Sequence, residues 1–267
     1  MSIVRIARRA AASLCLAFLT GCAVTSVSGP QVASAPPADY AAAVAAPGRP
    51  ADAIALDESR KPAQVLAFLG LKPGMKAADL ITGTGYWAEI MSHVTGPEGQ
   101  VIAFQPAQFY GDAKGLEIWN GVLTRTKNVT LTRYPFDRFS PGPDSFDFAI
   151  INLSYHDLYW ESEEYKIPRT DPATFVRALH AAMKPGGIVG VIDHIGLPGG
   201  DTRATVDKFH RIDPEVVKRD YIDAGFLLAA ESDMLRNPED PHDILVFDPS
   251  IRGKTDRFLF KFVKPQA

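Results

Sequence analysis

The sequence has 267 residues, of which 46% are hydrophobic and 22% are charged, and its formal net charge is −3. These values are those of a globular protein and exclude a disordered, collagen-like or coiled-coil chain. The slightly acidic balance lacks the basic excess that neutralises phosphates, so it disfavours nucleic-acid binding. Both cysteines, Cys15 and Cys22, lie near the N-terminus, which excludes a disulfide framework or a cysteine-based zinc site from the rest of the chain.

The first 22 residues have the layout of a secretory signal. Three arginines within residues 5–9 precede an apolar stretch over residues 10–19, which is too short to span a bilayer. The stretch leads into Leu-Thr-Gly-Cys at residues 19–22, which resembles a bacterial lipobox. That resemblance implies cleavage before Cys22 and lipidation of its thiol. The alternative is an ordinary apolar segment that contains a chance cysteine.

This N-terminus divides the chain into three predicted parts: a lipoprotein signal peptide over residues 1–21, a lipidated tether over 22–50 and a folded domain over 51–267. The tether is rich in alanine, proline and serine and has no sustained hydrophobic period, which is typical of a flexible linker. By resemblance to Gram-negative lipoproteins, Ala23 favours the outer membrane. We therefore expect an exported protein that its N-terminal lipid holds at the periplasmic face of the outer membrane.

From residue 57 onward, helical and strand patterns alternate along the chain. In chain order the predicted elements are a helix at 62–71, a strand at 76–81, a helix at 86–94, a strand at 100–104, a helix within 107–126, strands at 128–133 and 146–152, a helix at 172–183, a strand at 188–192, a helix at 214–225 and strands at 226–233 and 257–263. This order predicts an α/β fold with an open, mostly parallel seven-stranded sheet, helices on both faces and a C-terminal antiparallel hairpin.

Local signals support several of these boundaries. Asp171 and Asp213 each precede a proline, an arrangement in which the aspartate caps a helix and the proline occupies its first turn. Residues 146–152 form a near-continuous apolar run, which is typical of a strand buried on both faces. The Lys-Pro-Gly-Gly turn at 184–187 is predicted to end one helix before the fifth strand begins.

The segment Ala-Asp-Leu-Ile-Thr-Gly-Thr-Gly-Tyr at residues 78–86 resembles motif I of the class I S-adenosylmethionine-dependent methyltransferases. Asp-Ser-Phe-Asp at 144–147, the Lys-Pro-Gly-Gly turn and the closing hairpin follow in the order of that family. More narrowly, Leu-Lys-Pro-Gly-Met at 71–75 and Arg-Gly-Lys-Thr-Asp-Arg-Phe at 252–258 resemble a poorly characterised group of exported bacterial predicted methyltransferases. The resemblance implies a Rossmann-like fold and S-adenosylmethionine as the cofactor.

The resemblance also implies where the donor binds, beyond the carboxyl ends of the strands. Gly83 and Gly85 permit a tight turn, and the helix after them offers N–H groups to the methionine carboxylate. Asp79 either orients this turn or meets the donor's amino group. The implied donor-binding residues are Asp79, Gly83, Thr84, Gly85, Gln105, Asp137 and Asn152.

Two positions depart from the family pattern. Ile81 stands where the first glycine of motif I is usual, and Gln105 stands where the family has an acid that binds both ribose hydroxyls. The neutral amide predicts weakened ribose binding. Of the remaining positions, Asp137 lies near where the resemblance places the family's adenine-contacting acid, and Asn152 is expected to face the transferred methyl group.

Candidate catalytic residues follow the fourth predicted strand. His156 has a side chain suited to a general base, and Asp157 is expected to orient the imidazole or to bind a substrate cation. The alternative is a loop His–Asp pair with ordinary hydrogen bonds. Further candidates for contacts with the acceptor are Tyr86, His194, His210 and Arg252. The His–Asp neighbours have no recognised metal-ligand spacing, so no metal site is predicted.

These features favour a lipid-anchored methyltransferase that acts on a small-molecule acceptor. Because the charged donor does not cross membranes passively, an exported enzyme requires a supply of it. The alternative function is a noncatalytic methyltransferase-fold lipoprotein that serves as a ligand-binding or envelope-interaction module. Ile81 and Gln105 fit this alternative, whereas the polar residues after the fourth and fifth strands fit the enzyme.

Overall fold

Within residues 37–266, the part of the chain that the computed structural model describes, seven strands form one sheet. The signal peptide and the lipidation site predicted at Cys22 lie outside the described residues. In chain order the strands are β1 (Lys76–Leu80), β2 (Gln100–Pro106), β3 (Val129–Tyr134), β4 (Phe146–Asn152), β5 (Met183–His194), β6 (Leu227–Ser232) and β7 (Arg257–Val263).

The strand order across the sheet is β3–β2–β1–β4–β5–β7–β6. Neighbouring strands from β3 to β5 are parallel, and β7 is antiparallel to both β5 and β6. The predicted α/β fold, an open and mostly parallel sheet with a C-terminal antiparallel hairpin, is therefore confirmed. The chain order reverses between β1 and β4, and a crevice is expected at such a switch point.

Helices cover both faces of the sheet. Alternating residues of β1 separate the two hydrophobic clusters, because Ala78 and Leu80 belong to one and Ala77 to the other. Among the helices of residues 37–266, none has the length and apolar content that a membrane span requires. The helices are α1 (Tyr40–Val44), α2 (Ala51–Ile54), α3 (Asp57–Arg60), α4 (Pro62–Leu69), α5 (Tyr86–Thr95), α6 (Ala113–Arg125), α7 (Pro172–Ala182), α8 (Thr202–Phe209) and α9 (Pro214–Asp223).

The fifth strand begins earlier than the sequence predicts. The Lys-Pro-Gly-Gly turn does end α7, but it is also part of β5, because Met183 pairs with Phe146 across an irregularity in β4. Lys264 holds this end of the strand, since its carbonyl accepts from Gly186 N–H and its N–H donates to the Gly187 carbonyl, both at 2.9 Å. The glycines therefore bend a strand instead of preceding it.

The folded part of the chain also starts before the predicted boundary at residue 51. Helix α1 lies in the predicted tether, where Ala43 is buried and the Tyr40 hydroxyl donates to the Leu71 carbonyl at 2.7 Å. Arg49 forms a bidentate pair with Asp57 at 2.7 and 2.8 Å. Small alanine side chains allow α1 to pack closely against α4 and α5. From composition alone, the same alanine-rich segment is interpreted as a linker.

Candidate functional site

The carboxyl edge of the sheet brings two groups of polar residues to the switch point between β1 and β4. On the β1–β2 side lie the turn after β1, the end of β2 and the end of α3. On the β4–β5 side lie a 3₁₀ turn (His156–Tyr159) after β4, the end of β5 and the residue that closes α8. Each group has its own electrostatic character.

The turn after β1 has a left-handed backbone at three positions. Gly83 and Gly85 have φ angles of 64° and 80°, which glycine adopts without steric cost. Ile81 has a φ angle of 49°, and such strain costs a β-branched residue about 1–3 kcal/mol. Its side chain is only 5% exposed, so apolar burial offsets the strain. The isoleucine in place of a glycine therefore keeps the shape of the turn.

Asp79 ties this turn to the helix that follows. Its buried carboxylate accepts hydrogen bonds from the Thr82 hydroxyl and, at 3.0 Å, from the backbone N–H of Ala88 in the first turn of α5. Of its two predicted roles, this geometry supports the orientation of the turn. Burial raises the pKa of Asp79 to about 7, although both hydrogen bonds favour the carboxylate.

Gln105, near the end of β2, is completely buried. Among the described residues, neither its Oε1 nor its Nε2 has a hydrogen-bond partner. Within residues 37–266, the other buried side-chain polar atoms without a hydrogen-bond partner are Trp87 Nε1 and the Tyr221 hydroxyl. An unpaired buried amide costs about 1–3 kcal/mol. A polar ligand that reached Gln105 would remove this cost.

Arg60 brings a positive charge to the start of α5. Its guanidinium carbon lies 4.4 Å from the centroid of the Tyr86 ring, and the Tyr86 hydroxyl donates to Asp57 at 2.7 Å. Burial lowers the pKa of Arg60, and Asp79 is among the carboxylates whose charge opposes this shift. Tyr86 was predicted to contact the acceptor, but the structure buries it at 4% exposure and assigns its hydroxyl to Asp57.

Two aromatic side chains enclose the glycine turn. A Cβ atom on Gly83 would lie 3.8 Å from the Tyr110 ring, and one on Gly85 would lie 3.0 Å from the Trp119 ring. Trp119 Nε1 also donates to the Gly83 carbonyl at 3.0 Å. Thr84 is exposed at the tip of the turn. The Tyr110 ring therefore lies against one side of Gly83, and the Trp119 ring lies against Gly85.

On the β4–β5 side, the buried carboxylate of Asp193 accepts three hydrogen bonds. His156 donates two of them, from its backbone N–H at 2.9 Å and from Nδ1 at 2.8 Å, and the His194 N–H donates the third at 2.8 Å. The other ring nitrogen of His156, Nε2, lies 3.4 Å from Asp157 Oδ1. His210 Nδ1 lies 3.9 Å from the same oxygen. The structure thus brings three predicted site residues together, although His210 is distant in sequence from His156 and Asp157 and no motif links them.

Burial and nearby charges shift the titration of this cluster. Burial disfavours the charged imidazole of His156, but Asp193 and Asp157 outweigh it and raise the pKa to about 9. Burial raises the pKa of Asp157 to about 6. It lowers the pKa of His210 to about 4 and that of His194 well below its usual range. The cluster therefore favours one positive charge between two carboxylates, with neutral imidazoles beside it.

Two buried networks hold these side chains in place. Under the 3₁₀ turn, the Tyr155 hydroxyl donates to Asp220 at 2.8 Å. Next to His210, Arg211 forms a bidentate pair with Asp240 at 2.8 and 2.9 Å, and both side chains are fully buried. Breaking such a pair costs about 3–5 kcal/mol, so the backbone that carries His210 is firmly fixed.

The remaining predicted residues lie at the margins of the site. Asn152 ends β4 and is half-buried, whereas Asp137 is exposed on the turn after β3. Arg252 was predicted to contact substrate, but it is exposed in the segment before β7. Arg257 on β7 is buried instead and donates to the Ser59 carbonyl at 3.1 Å. A lone arginine before motif I, such as Arg60, carries no sequence signal, and neither does Tyr110.

The buried carboxylate of Asp79 predicts a pH-dependent stability. Because its pKa rises from 3.8 unfolded to about 7 folded, the folded state retains a proton that the unfolded chain releases, and this stabilisation is lost as the pH rises through that window. Asp79→Asn should flatten the dependence. Urea unfolding at several pH values between these limits measures it, with Asp137→Asn, an exposed carboxylate, as the matched control. An unchanged slope in Asp79→Asn would contradict the assignment.

Comparison with known proteins agrees with this geometry. The sequence model of the protein-L-isoaspartate(D-aspartate) O-methyltransferase family matches residues 56–110, which include the glycine turn and Gln105. Demethylmenaquinone methyltransferase of Staphylococcus aureus is 24% identical over 126 residues, which cover 47% of this chain and 46% of that protein. The match thus spans about half the length of this curated relative.

Solved structures extend the likeness over most of the chain. A SAM-dependent methyltransferase from Aquifex aeolicus superposes with a TM-score of 0.55 at 18% identity, covering 85% of this chain and 98% of the other. An arsenic(III) S-adenosylmethionine methyltransferase from Chlamydomonas reinhardtii superposes with a TM-score of 0.53 at 17% identity, covering 87% and 75%. The chain therefore has the fold of the S-adenosylmethionine-dependent methyltransferases.

Proposed function

We propose that the protein is an S-adenosylmethionine-dependent methyltransferase that acts on a small-molecule acceptor. The observation that carries this proposal is the buried, unpartnered amide of Gln105 at the end of β2. This amide lies next to the glycine turn, because the Thr82 N–H donates to the Phe104 carbonyl at 3.0 Å. Nucleoside ligands of open α/β sheets bind across this part of the carboxyl edge.

The ribose of the donor suits the amide of Gln105. One ribose hydroxyl can donate to Oε1 while the other accepts from Nε2. Both amide atoms are buried and have no hydrogen-bond partner among the described residues. A contact with a ribose hydroxyl therefore does not require a hydrogen bond within the protein to break first. Each ribose contact therefore supplies a partner to an amide atom that has none in the described residues.

The carboxylate at the other end of the donor suits Arg60. A helix N-terminus favours an anion, and at the start of α5 the Ala88 N–H is already bonded to Asp79. The Arg60 guanidinium, which lies over the Tyr86 ring at the same helix start, supplies a full positive charge there. A guanidinium binds a carboxylate through two charge-assisted hydrogen bonds.

The acceptor would lie on the β4–β5 side. Ring centroids of Trp160 and Phe247 each lie 5.2 Å from that of His210, so aromatic walls adjoin the polar side chains of His156 and Asp157. Methyl transfer from a sulfonium depends mainly on such alignment. The named relatives act on demethylmenaquinone and arsenic(III), which supports a small-molecule acceptor.

A second candidate function is a noncatalytic ligand-binding or envelope-interaction lipoprotein. The observation that favours it is the Tyr110 ring, which lies against Gly83 where a donor would approach. The two functions differ in a direct measurement. The enzyme binds S-adenosylmethionine and produces S-adenosylhomocysteine when an acceptor is present, whereas the binding module forms no S-adenosylhomocysteine.

We further propose that Cys22 is lipidated and holds the protein in the envelope, at the periplasmic face of the outer membrane. The support is the sequence at residues 19–22 after a cationic and apolar leader. Cys22→Ala should move the full-length protein from the membrane fraction to the soluble fraction of fractionated cells. Cys15→Ala is the matched control and should leave the fractionation unchanged. Membrane association that survives Cys22→Ala would contradict the anchor.

Gln105→Leu should change donor affinity and stability in opposite directions. Loss of the amide should weaken S-adenosylmethionine and S-adenosylhomocysteine binding about 10-fold to 100-fold, and removal of an unpaired buried group should stabilise the unliganded protein by about 1 kcal/mol. Titration calorimetry and urea unfolding measure the two effects. The control is Gln100→Leu, an exposed position at the other end of β2. Unchanged donor affinity in Gln105→Leu would refute the donor site.

Arg60→Met should weaken only those ligands that carry the methionine carboxylate. We expect a loss of about 10-fold or more for S-adenosylmethionine and S-adenosylhomocysteine, because a charge-assisted pair is lost. Affinity for methylthioadenosine, which lacks the carboxylate, should stay unchanged, whereas Gln105→Leu should weaken all three ligands. Calorimetric titrations with the exposed-arginine variant Arg252→Met as control separate these patterns. Equal losses for all three ligands in Arg60→Met would contradict the assignment.

A further inference from the structure

Three polar side chains on the β4–β5 side bring two ring nitrogens and a carboxylate oxygen close together. His156 Nε2 lies 3.4 Å and His210 Nδ1 lies 3.9 Å from Asp157 Oδ1, and each of the three side chains has one possible ligand atom within 4.8 Å of one on each of the other two. The side chains are 4%, 15% and 16% exposed for His156, His210 and Asp157. The three side chains are therefore mostly buried.

Asp193 fixes which nitrogen of His156 faces this position. Its carboxylate accepts from Nδ1 at 2.8 Å and from the backbone N–H of the same residue at 2.9 Å. Because Nδ1 carries the hydrogen of that bond, Nε2 is the ring nitrogen that faces Asp157, and its lone pair becomes available to an ion when Nε2 releases its proton. A histidine that ligates a metal is usually held in this way, with its other ring nitrogen bonded to a carboxylate.

We propose that His156 Nε2, Asp157 Oδ1 and His210 Nδ1 bind a divalent first-row transition-metal ion such as Zn²⁺. Two ligands of a tetrahedral zinc, each about 2.1 Å from it, are about 3.4 Å apart. The distance between His156 Nε2 and Asp157 Oδ1 already has this value. His210 Nδ1, which lies 3.9 Å from Asp157 Oδ1, has to move closer for one ion to bind all three side chains. Two imidazoles and one carboxylate are a donor set that suits such ions.

The charge balance of the cluster favours the ion. Two carboxylates, Asp157 and Asp193, flank the His156 ring on opposite sides, and Asp193 is fully buried. Buried carboxylates are expensive unless they are paired. A divalent ion on Nε2 neutralises both charges, whereas a proton at that nitrogen neutralises only one.

The scaffold of the site is rigid on the side of His210. This residue closes α8 with a left-handed backbone, and Arg211, directly after it, pairs with Asp240 in a fully buried contact. The rings of Trp160 and Phe247 pack on His210, which limits the positions that its imidazole can take. Such preorganisation lowers the cost of ordering a metal ligand.

The ion would have open positions toward the acceptor, since the chain supplies three ligands from the set above. An acceptor oxygen or nitrogen bound there would lose its proton more easily. This role of the ion rests on the proposed methyltransferase function, although binding of the ion itself does not. It also assigns His156 the role of a ligand in place of the general base predicted from the sequence, because Nε2 cannot hold a metal and accept a proton together.

The test is ion binding by the full-length protein without donor or acceptor. After dialysis against a chelator, calorimetric titration with Zn²⁺ should show one ion bound per chain, and Co²⁺ should give visible d–d absorption from nitrogen and oxygen ligands. His210→Ala and Asp157→Asn should each weaken Zn²⁺ binding about 100-fold or more, and Asp193→Asn about 10-fold to 100-fold, because it orients a ligand. His242→Ala, another histidine beside an aspartate, should bind Zn²⁺ as the unaltered protein does.

Folding and metal binding can be read separately. His210→Gln, at a partly exposed side chain, provides a milder ligand variant, and near-ultraviolet circular dichroism of every variant checks its packing. Titration of the same samples with S-adenosylhomocysteine distinguishes a missing metal site from a missing donor site. No Zn²⁺ binding at micromolar concentration, or binding that survives in His210→Ala, His210→Gln and Asp157→Asn, would overturn the proposal.

Discussion

The buried carboxylate of Asp193 is the interaction on which the β4–β5 side of the site depends. Its three hydrogen bonds join the end of β5 to the 3₁₀ turn after β4 and fix both the backbone and the ring of His156. An ionised carboxylate without these partners would cost several kcal/mol at zero exposure. The carboxylate therefore fixes the residues that donate to it. Because it is buried and must keep these donors, it also sets the direction in which His156 Nε2 points.

Backbone strain gathers at the same edge of the sheet. Ile81 directly follows β1, Leu153 directly follows β4 and His210 directly follows α8, and their φ angles are 49°, 56° and 51°. Each of these conformations costs about 1–3 kcal/mol, and the paired strands before Ile81 and Leu153 and the helix before His210 supply the compensating order. Residues with these φ angles turn the chain sharply at the ends of β1, β4 and α8. Polar side chains from separate elements therefore come to face one another.

The fold could be predicted from the sequence because its signals are local, whereas much of the site could not. The caps at Asp171 and Asp213 and the apolar run of β4 each act within a few residues, and the structure reproduces them. The convergence of His156 with His210 depends on where α8 ends, and α8 is a mostly polar helix that buries Val206 alone. The complete burial of Gln105 depends on how neighbouring segments pack over the end of β2. Neither the convergence of the two histidines nor the burial of Gln105 can be inferred from the spacing of residues in the sequence.

The presence of Gln105, in place of the acid that the family resemblance implies, has a consequence for the stability of the folded protein. A buried amide without partners costs about 1–3 kcal/mol, but a buried and unpaired carboxylate at the same position would cost several times more or would take up a proton. The amide thus lowers the cost of burying this position, and the Tyr110 ring lies against Gly83 of the neighbouring turn. The corresponding cost is in donor affinity, because a neutral amide forms weaker hydrogen bonds to ribose hydroxyls than a carboxylate does.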